Sequence, residues 1–240
     1  MRRFFAEKIE KPLVTIRGDE AYHMRKVLRM AAGDFFVLFD GSGTEYVCRI
    51  ESVDEDGLVA SVGEESAAVR EPSVRITLYQ AVLKKDNMDL VLQKATELGI
   101  AAFMPVLAAR CVKRPDDAAK LTEKYERIAR EAAKQCGRST MPQIGALTEL
   151  KNIKDIIKKH ELFLLAYEHA DIPVKQRLKE HGAADIGVII GPEGGFEPRE
   201  AQMLMDAGAI DCSLGGLILR AETAAIAAVS MIVYQAMETA

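Results

Sequence analysis

Residues 186–198 read IGVII-GPEGG-FEP, an apolar strand that runs directly into a glycine-rich turn. The unbroken apolar run Ile186 to Ile190 is typical of a strand buried on both faces, as in a parallel sheet covered by helices. Pro198 favours a helix start just beyond the turn. In open α/β sheets, ligands bind where a strand ends, because glycines there let a small molecule approach backbone amides closely. The segment therefore predicts a parallel α/β domain with a ligand position at Gly191–Gly195.

The turn matches neither of the common nucleotide-binding motifs. It lacks the G-K-[ST] of a P-loop and the G-x-G-x-x-G of a dinucleotide-binding fold. ATP and NAD are therefore disfavoured as ligands. From this feature alone, a glycine-rich turn that binds nothing stays open as the alternative.

Two other predicted strand ends carry polar residues. The strand Leu162–Tyr167 leads to Glu168 and His169, and the strand Ile210–Leu214 leads through two glycines to Arg220 and Glu222. A cation at a helix start opposes the helix dipole by about 0.3–1 kcal/mol, so Arg220 indicates an anionic partner. Glu222 suits a helix start, and a structural role for it stands beside a catalytic one. His169 has the pattern of a surface residue.

Upstream of residue 63 the pattern changes to short strands separated by Gly/Asp turns, which predicts a small β-barrel. A polar segment at 63–73 is the predicted linker. Beyond it, strands and helices alternate as in a parallel sheet. The predicted barrel elements are strands 3–5, 35–39, 46–50 and 58–62 with one helix at 19–30. The predicted elements of the second domain are strands 74–78, 162–167, 186–190 and 210–214 and helices 88–98, 121–136 and 221–237.

The amino-acid composition excludes several classes of protein. The 240 residues are 49% hydrophobic with a net charge of -4, which excludes disorder and a uniformly basic nucleic-acid coat. Four scattered cysteines and four scattered histidines predict no metal site. No signal-peptide core follows Met1, and the apolar stretch 221–237 contains Glu222 and is rich in alanine, so we expect a buried helix rather than a membrane span. We expect a cytoplasmic protein.

An ordered set of motifs resembles the RsmE type of SPOUT methyltransferase along nearly the whole chain. No single motif is decisive, but their order is specific. The matching segments are MRRFF at 1–5, HMRKVLRM at 23–30, FDGSG at 39–43, KKDNMDLVLQKATELG at 84–99, AKQCGRS at 133–139, LLAYE at 164–168, GPEGGF at 191–196 and LGGLILRAETA at 214–224.

The resemblance implies an α/β fold class with a PUA-like RNA-binding β-barrel at residues 1–70 and a SPOUT methyltransferase domain at 74–240 that contains a trefoil knot. It implies S-adenosylmethionine as cofactor, 16S ribosomal RNA or the small ribosomal subunit as substrate, methylation at N3 of a uridine, and a homodimer. The implied cofactor-binding residues are Leu165, Tyr167, Glu168, Gly191, Glu193, Gly194, Gly195, Leu214, Gly215, Ile218, Leu219 and Thr223.

The expected catalytic residues are Arg220, which would stabilise negative charge on the uracil, and Glu222, which would take the N3 proton; Glu193 or a water is the alternative acceptor. The sequence departs from the family pattern at Leu217, where a second arginine is usual, and at Lys134, where a glutamate is usual. The change at Leu217 leaves Arg220 as the sole arginine of its loop.

RNA binding would fall to local basic patches, since residues 1–32 and 110–138 each carry a net charge of +4. For single positions, a solvated helix face is the simpler interpretation. The predicted RNA contacts are Arg2, Arg3, Arg25, Arg29, Lys84, Lys85, Arg110, Lys113, Arg114 and Arg138, with Lys26 beside them. Two other functions stay open: methylation of another RNA, at transfer RNA or a ribose 2′-hydroxyl, and a non-catalytic RNA-binding assembly factor.

Overall fold

The computed structural model describes residues 1–67, 71–84, 86–115 and 117–238, without the side chains of residues 66, 67 and 238. The chain divides into two compact units. The N-terminal unit comprises residues 1–71 and 133–141, and the C-terminal unit comprises residues 72–132 and 142–240. The short segment 133–141 therefore belongs with the N-terminal unit, a grouping that the predicted ranges did not include.

The N-terminal unit is built on a five-stranded half-barrel sheet. Its strands are β1 (Arg3–Phe5), β2 (Leu13–Arg17), β3 (Phe35–Phe39), β4 (Thr44–Val53) and β5 (Gly57–Ala67). They pair in the order β1-β3-β4-β5-β2, antiparallel except for the parallel pair β1–β3. Phe4, Phe36 and Leu38 lie in the core of this unit.

Three features of this unit differ from the sequence prediction. Strand β2 was missed, although its side chains alternate between exposed and buried and so place Val14 and Ile16 in the core. Strand β5 continues through Gly63–Ala67, within the predicted linker, because its exposed glutamates tolerate a solvated sheet face while the backbone pairs with β4. The predicted helix at 19–30 is α1 (Gly18–Tyr22) followed by a π-helical turn, His23–Val27.

The C-terminal unit contains a parallel sheet with helices, as predicted. Its strands are β6 (Arg75–Ala81), β7 (Ala102–Leu107), β8 (Gln143–Ile144), β9 (Thr148–Glu149), β10 (Leu162–Ala166), β11 (Asp185–Ile190) and β12 (Ile210–Cys212). They pair in the order β12-β10-β11-β6-β7-β8, with β9 also on β7. Since β10 has β11 and β12 as its two parallel neighbours, the carboxyl ends of these three strands lie at one edge of the sheet.

The helices of this unit are α2 (Asn87–Glu97), α4 (Lys154–Ile157, after a 3₁₀ turn at Leu150–Ile153), α5 (Val174–His181), α6 (Pro198–Asp206) and α7 (Ala221–Glu238). Helix α3 (Ala118–Cys136) begins in this unit and ends in the N-terminal one. The apolar stretch that ends the chain is helix α7, which packs against α2 and α5. No helix in the described part of the chain is long and apolar enough to cross a membrane.

Strand β7 was also missed from the sequence, because Pro105 argues against a strand interior. The strand pairs with β8 at Ala102–Phe103 and with β9 at Val106–Leu107, so Pro105 lies in the gap between the two pairings. On this side of β7, the interruption between the pairings with β8 and β9 tolerates the missing amide hydrogen of Pro105.

Candidate functional site

Three turns at the carboxyl ends of β10, β11 and β12 enclose one cavity of about 310 Å³. The strand order explains their meeting, because β10 is hydrogen-bonded to both of the others. The lining residues are Ala166, Tyr167 and Glu168 from the first turn, Ile190 to Phe196 from the second, and Ser213 to Leu219 with Ala221 and Ala224 from the third.

The second turn, residues 191–196, requires glycine at specific positions. Gly195 has φ +67, and a Cβ added there would lie 2.9 Å from Oε1 of Glu168. A Cβ at Gly191 would lie 3.3 Å from the ring of Phe196. The positive φ at Gly195 disfavours any side chain there, and a Cβ would also displace the Glu168 carboxylate; at Gly191 the Phe196 ring leaves little space for one.

Hydrogen bonds from neighbouring strand ends hold this turn in position. The backbone N–H of Lys84, after β6, donates to Oε1 of Glu193 at 2.8 Å. The guanidinium of Arg110, after β7, donates to the carbonyl of Gly194 at 2.8 Å. These two bonds hold the turn to the neighbouring strand ends. One carboxylate oxygen of Glu193 is therefore already engaged as a hydrogen-bond acceptor.

A third tether joins the loop after β7 to the start of helix α6. Oε1 of Glu200 accepts the backbone N–H of Ala109 at 2.8 Å, while its Oε2 accepts that of Glu197 at 2.9 Å. Glu197 and Glu200 also form a capping box at the helix start. The sequence analysis missed Glu200, although the spacing Glu-Pro-Arg-Glu is a recognisable capping signal.

The charged side chains that line the cavity are both acidic, Glu168 and Glu193; no lysine or arginine is among the described lining residues. The site is therefore suited to a cationic rather than a phosphorylated ligand. Among the described residues, no group of three or more His, Cys, Asp or Glu side chains could hold a metal ion.

The third turn brings apolar side chains to the cavity rim and leads to the predicted catalytic residues Arg220 and Glu222, which are not among the described lining residues. Leu217 and Ile218 line the cavity and are 82% and 90% exposed. Arg220 follows at the start of α7, where its carbonyl accepts the N–H of Ala224 at 2.8 Å. The exposed Arg220 side chain has no ion-pair or hydrogen-bond partner among the described residues. Glu222, two residues after Arg220, lies in the first turn of α7 and is partly exposed.

Cys212, the last residue of β12, lies immediately before this turn but is chemically inert. It is fully buried, and burial raises the pKa of its thiol to about 12. The thiol therefore stays protonated at neutral pH and cannot act as a nucleophile.

Ten of the twelve predicted cofactor residues line the cavity. Leu165 does not: it is fully buried in the core of the C-terminal unit, because the side chain before the strand end points into the packed layer. Thr223 is exposed in the first turn of α7 and is absent from the lining. Phe196 and Ser213 also line the cavity, although neither was predicted to bind the cofactor. Phe196 is buried against Gly191, and the hydroxyl of Ser213 bonds to Gly215.

Two of the predicted RNA contacts are structural ion pairs. Arg138 is 4% exposed and donates to both carboxylate oxygens of Glu71, at 3.0 and 2.7 Å. Arg3 donates to Glu45 at 2.7 Å and to the hydroxyl of Ser139 at 2.6 Å. Both guanidinium groups are thus engaged within the N-terminal unit, which favours a structural role for them over contact with RNA.

The other predicted basic contacts are at least partly accessible. Arg25 is partly exposed, and Arg2, Arg29, Lys84, Arg110, Lys113 and Arg114 are exposed, whereas Lys85 lies outside the described residues. Arg2 donates to the carbonyl of Leu28 at 3.2 Å, and Arg25 to that of Glu55. Lys84 and Arg110 belong to the loops that tether the cavity turn.

Comparison with known proteins agrees with this architecture. The RNA methyltransferase domain family matches residues 70–233, and the RNA methyltransferase PUA domain family matches residues 16–63. The ribosomal RNA small subunit methyltransferase E of Bacillus subtilis is 32% identical over 248 residues, covering 98% of this chain and 97% of that protein.

Solved structures give the same result. A putative methyltransferase from Legionella pneumophila in complex with S-adenosylmethionine superposes with a TM-score of 0.88 at 30% identity, with 96% of each chain covered. The ribosomal RNA small subunit methyltransferase E of Neisseria gonorrhoeae, bound to S-adenosylmethionine, has a TM-score of 0.85 at 30% identity and covers 96% of this chain and 95% of its own. The chain therefore belongs to the RNA methyltransferase family, in the group of the small-subunit methyltransferases E.

Proposed function

We propose that this protein uses S-adenosylmethionine to methylate N3 of a uridine in the 16S ribosomal RNA of the small subunit, an action that belongs in the cytoplasm. One observation carries the proposal: three turns enclose a cavity whose charged lining residues, among those the structure describes, are both acidic, and Arg220, without a partner among the same residues, follows the lining residue Leu219. The Bacillus subtilis and Neisseria gonorrhoeae relatives are named as small-subunit methyltransferases, and the latter binds S-adenosylmethionine.

The cavity fits the cofactor chemically. S-adenosylmethionine carries a sulfonium and an ammonium against a single carboxylate, so its net charge is positive, and Glu168 and Glu193 supply the complementary charge. The glycines at 191, 194 and 195 leave backbone groups within reach of an adenosine. When bound, the cofactor supplies an electrophilic methyl group.

The acceptor must lose a proton before it can attack. Uracil N3 ionises roughly two pKa units above neutral, which costs about 3 kcal/mol. Arg220 would offset this cost by holding the negative charge that develops on a uracil carbonyl oxygen, because its guanidinium has no internal counter-ion among the described residues. Glu168, Glu193 and the glycines of the second turn would hold the cofactor, which would supply the methyl group that the N3 anion accepts and would leave as a neutral thioether.

Glu222 is the better proton acceptor of the two candidate carboxylates. One oxygen of Glu193 already accepts the N–H of Lys84, and its role is to hold the turn. Glu222 lies two residues from Arg220 and has no hydrogen-bond partner among the described residues. A water is the remaining acceptor.

A trefoil knot belongs to this proposal. Strand β11 lies between β6 and β10 although it follows both in the chain, and β12 lies beyond β10. A chain that threads through an earlier loop also returns a late strand between earlier ones, so this order is compatible with the knot that the family resemblance implies. The knot would force the three turns together and so shape the cavity.

A homodimer belongs to it as well, with α7 and the rim of the cavity as its interface. Leu217 and Ile218 are almost fully exposed, and on α7 Tyr234 and Met237 are 63% and 73% exposed. Large apolar side chains seldom face water in this density on a monomer. Analytical sedimentation of the variants Tyr234→Glu and Lys175→Glu tests this interface. Tyr234→Glu should yield monomers, whereas Lys175→Glu should remain a dimer. Dimers in both variants would contradict the assignment of the interface.

The function is tested by the nucleosides of ribosomal RNA. A strain that lacks the protein should lose 3-methyluridine from its 16S RNA, and the wild-type gene should restore it where an Arg220→Ala gene does not. Loss of a different methylated nucleoside would point to another RNA or a ribose hydroxyl. Unchanged methylation together with a ribosome assembly defect would point to a non-catalytic factor.

A further inference from the structure

The helical segment that leads from α1 into the π-helical turn presents an aromatic and cationic face in the N-terminal unit. Ala21 and Met24 are buried in the core of that unit, which fixes the orientation of the segment. On its outer side Tyr22 is 63% exposed and Val27 is 61% exposed, and Lys26 is exposed as well. A tyrosine exposed to this degree presents part of its ring surface to a ligand.

The backbone brings these side chains onto one face. In the π-helical turn His23–Val27 the N–H of Leu28 donates to the carbonyl of His23 at 3.0 Å, a spacing of five residues. The wider turn aligns residues four and five apart, so Tyr22 lies in line with Lys26 and Val27. Arg29 follows with φ +53, a conformation that is strained for a residue with a side chain. π-turns and such strained residues recur at functional sites.

The charges of this face are positive and available. Lys26 and Arg29 are exposed and have no hydrogen-bond or ion-pair partner among the described residues. Arg2 is held beside them by its bond to the carbonyl of Leu28. Of the acidic residues in the same helical segment, Glu20 is paired with Lys134 at 2.7 Å, which leaves Asp19.

We infer that Tyr22 is a stacking platform for one unpaired RNA base, with Lys26 and Arg29 contacting the adjacent phosphates. An aromatic ring beside unpaired cations matches the chemistry of a single strand, whose bases expose their faces, whereas a duplex hides them. The inference deepens the proposed function and rests on it, since it names the state of the RNA that the N-terminal unit recognises.

The chain contains no tryptophan, so Tyr22→Trp introduces a single fluorophore at the proposed platform. Stacking on a base should quench its emission when oligouridylate is added, and the oligouridylate–oligoadenylate duplex should quench it far less. Tyr46→Trp is the matched control, because Tyr46 lies in the same unit but beside Lys11 and outside this helical face. Equal quenching by strand and duplex, or equal quenching of both variants, would overturn the inference.

Affinity gives an independent readout. Tyr22→Ala should weaken binding of oligouridylate about tenfold, Tyr22→Phe should leave it nearly unchanged, and neither should alter the unfolding temperature. Lys26→Ala removes one cation, so the slope of log affinity against log salt concentration should fall by about the contribution of one phosphate contact. Unchanged affinity in Tyr22→Ala, or binding of an acidic peptide that Tyr22→Ala weakens equally, would contradict an RNA platform.

The two proposals can fail separately. Quenching of Tyr22→Trp by oligouridylate, together with wild-type protein that leaves 16S RNA unmethylated, would overturn the function and keep the platform. Full methylation of 16S RNA by Tyr22→Ala, with no change in RNA affinity, would overturn the platform and keep the function.

Discussion

The sequence predicts an RNA contact for Arg138 and a catalytic role on the uracil for Arg220, and the two side chains have different surroundings in the structure. Arg138 is 4% exposed and is held by two hydrogen bonds to Glu71 within the N-terminal unit. Arg220 is exposed at the start of α7 and has no partner among the described residues. An arginine with an internal carboxylate is part of the fold, whereas one without it keeps its charge for a substrate.

The same contrast extends to the regions around them. The segment 133–141 contributes Lys134, Arg138 and Ser139, and each bonds to a side chain of the N-terminal unit. The rim of the cavity instead exposes Leu217, Ile218 and Arg220. Satisfied polar groups indicate structure, and unsatisfied groups around a cavity indicate a binding site.

The largest expected effect is that of Arg220→Ala on catalysis. Loss of the charge that stabilises the uracil anion should slow methyl transfer about 10²–10³-fold, while affinity for S-adenosylmethionine and stability stay nearly unchanged. Single-turnover rates at saturating cofactor, with calorimetric binding beside them, measure both. Arg199→Ala is the matched control, since Arg199 is an exposed arginine of α6 paired only with Glu197. Equal methyl-transfer rates for Arg220→Ala and Arg199→Ala would contradict a catalytic role for Arg220.

Arg138→Ala should act on stability instead. Removing it leaves Glu71 without its buried partner and should lower the free energy of unfolding by about 2–3 kcal/mol, less than for a fully enclosed pair because Glu71 is 30% exposed. Urea denaturation measures this. Arg199→Ala should cost about 0.5 kcal/mol or less. A stable Arg138→Ala protein with weakened RNA binding would restore the original assignment.

Arg110→Ala should have an intermediate effect, on the cofactor. The variant loses the hydrogen bond to the Gly194 carbonyl, worth about 1 kcal/mol, so affinity for S-adenosylmethionine should fall about fivefold. Lys113→Ala removes a nearby exposed cation without that bond and should leave the affinity unchanged. Calorimetric titration of both variants decides the point, and identical affinities would show that the tether does not shape the cavity.

The smallest effect concerns one buried thiol in each region. Burial raises the pKa of Cys48 to about 11 and that of Cys212 to about 12, from an ordinary value near 9. The unfolded chain loses these protons above pH 9 while the folded chain retains them, so stability is intact below pH 9 and declines between pH 9 and about 12. At pH 9.5 the ionisation of each thiol in the unfolded chain should lower the free energy of unfolding by about 1 kcal/mol relative to pH 7. Unfolding across this range should show a shallower loss for Cys212→Ala than for wild type; an identical slope would contradict the burial argument.

The cavity could be predicted from sequence because its elements are local. The run 186–198 contains its own strand, turn and helix start, and glycines at a strand end have few other uses. The pairing of Arg138 with Glu71 could not be predicted, because 67 residues separate them and nothing near either one indicates the other. Likewise, the π-helical turn after Tyr22 depends on the packing of Met24, which local periodicity does not encode.

The central claim is that the acidic cavity holds the methyl donor while Arg220 acts on a uridine. The most direct test incubates small subunits from a strain lacking the protein with purified enzyme and methyl-labelled S-adenosylmethionine, followed by mass spectrometry of the nucleosides. The account predicts label in 3-methyluridine of 16S RNA with wild-type enzyme and almost none with Arg220→Ala. Label in any other nucleoside, or equal label with both enzymes, would contradict it.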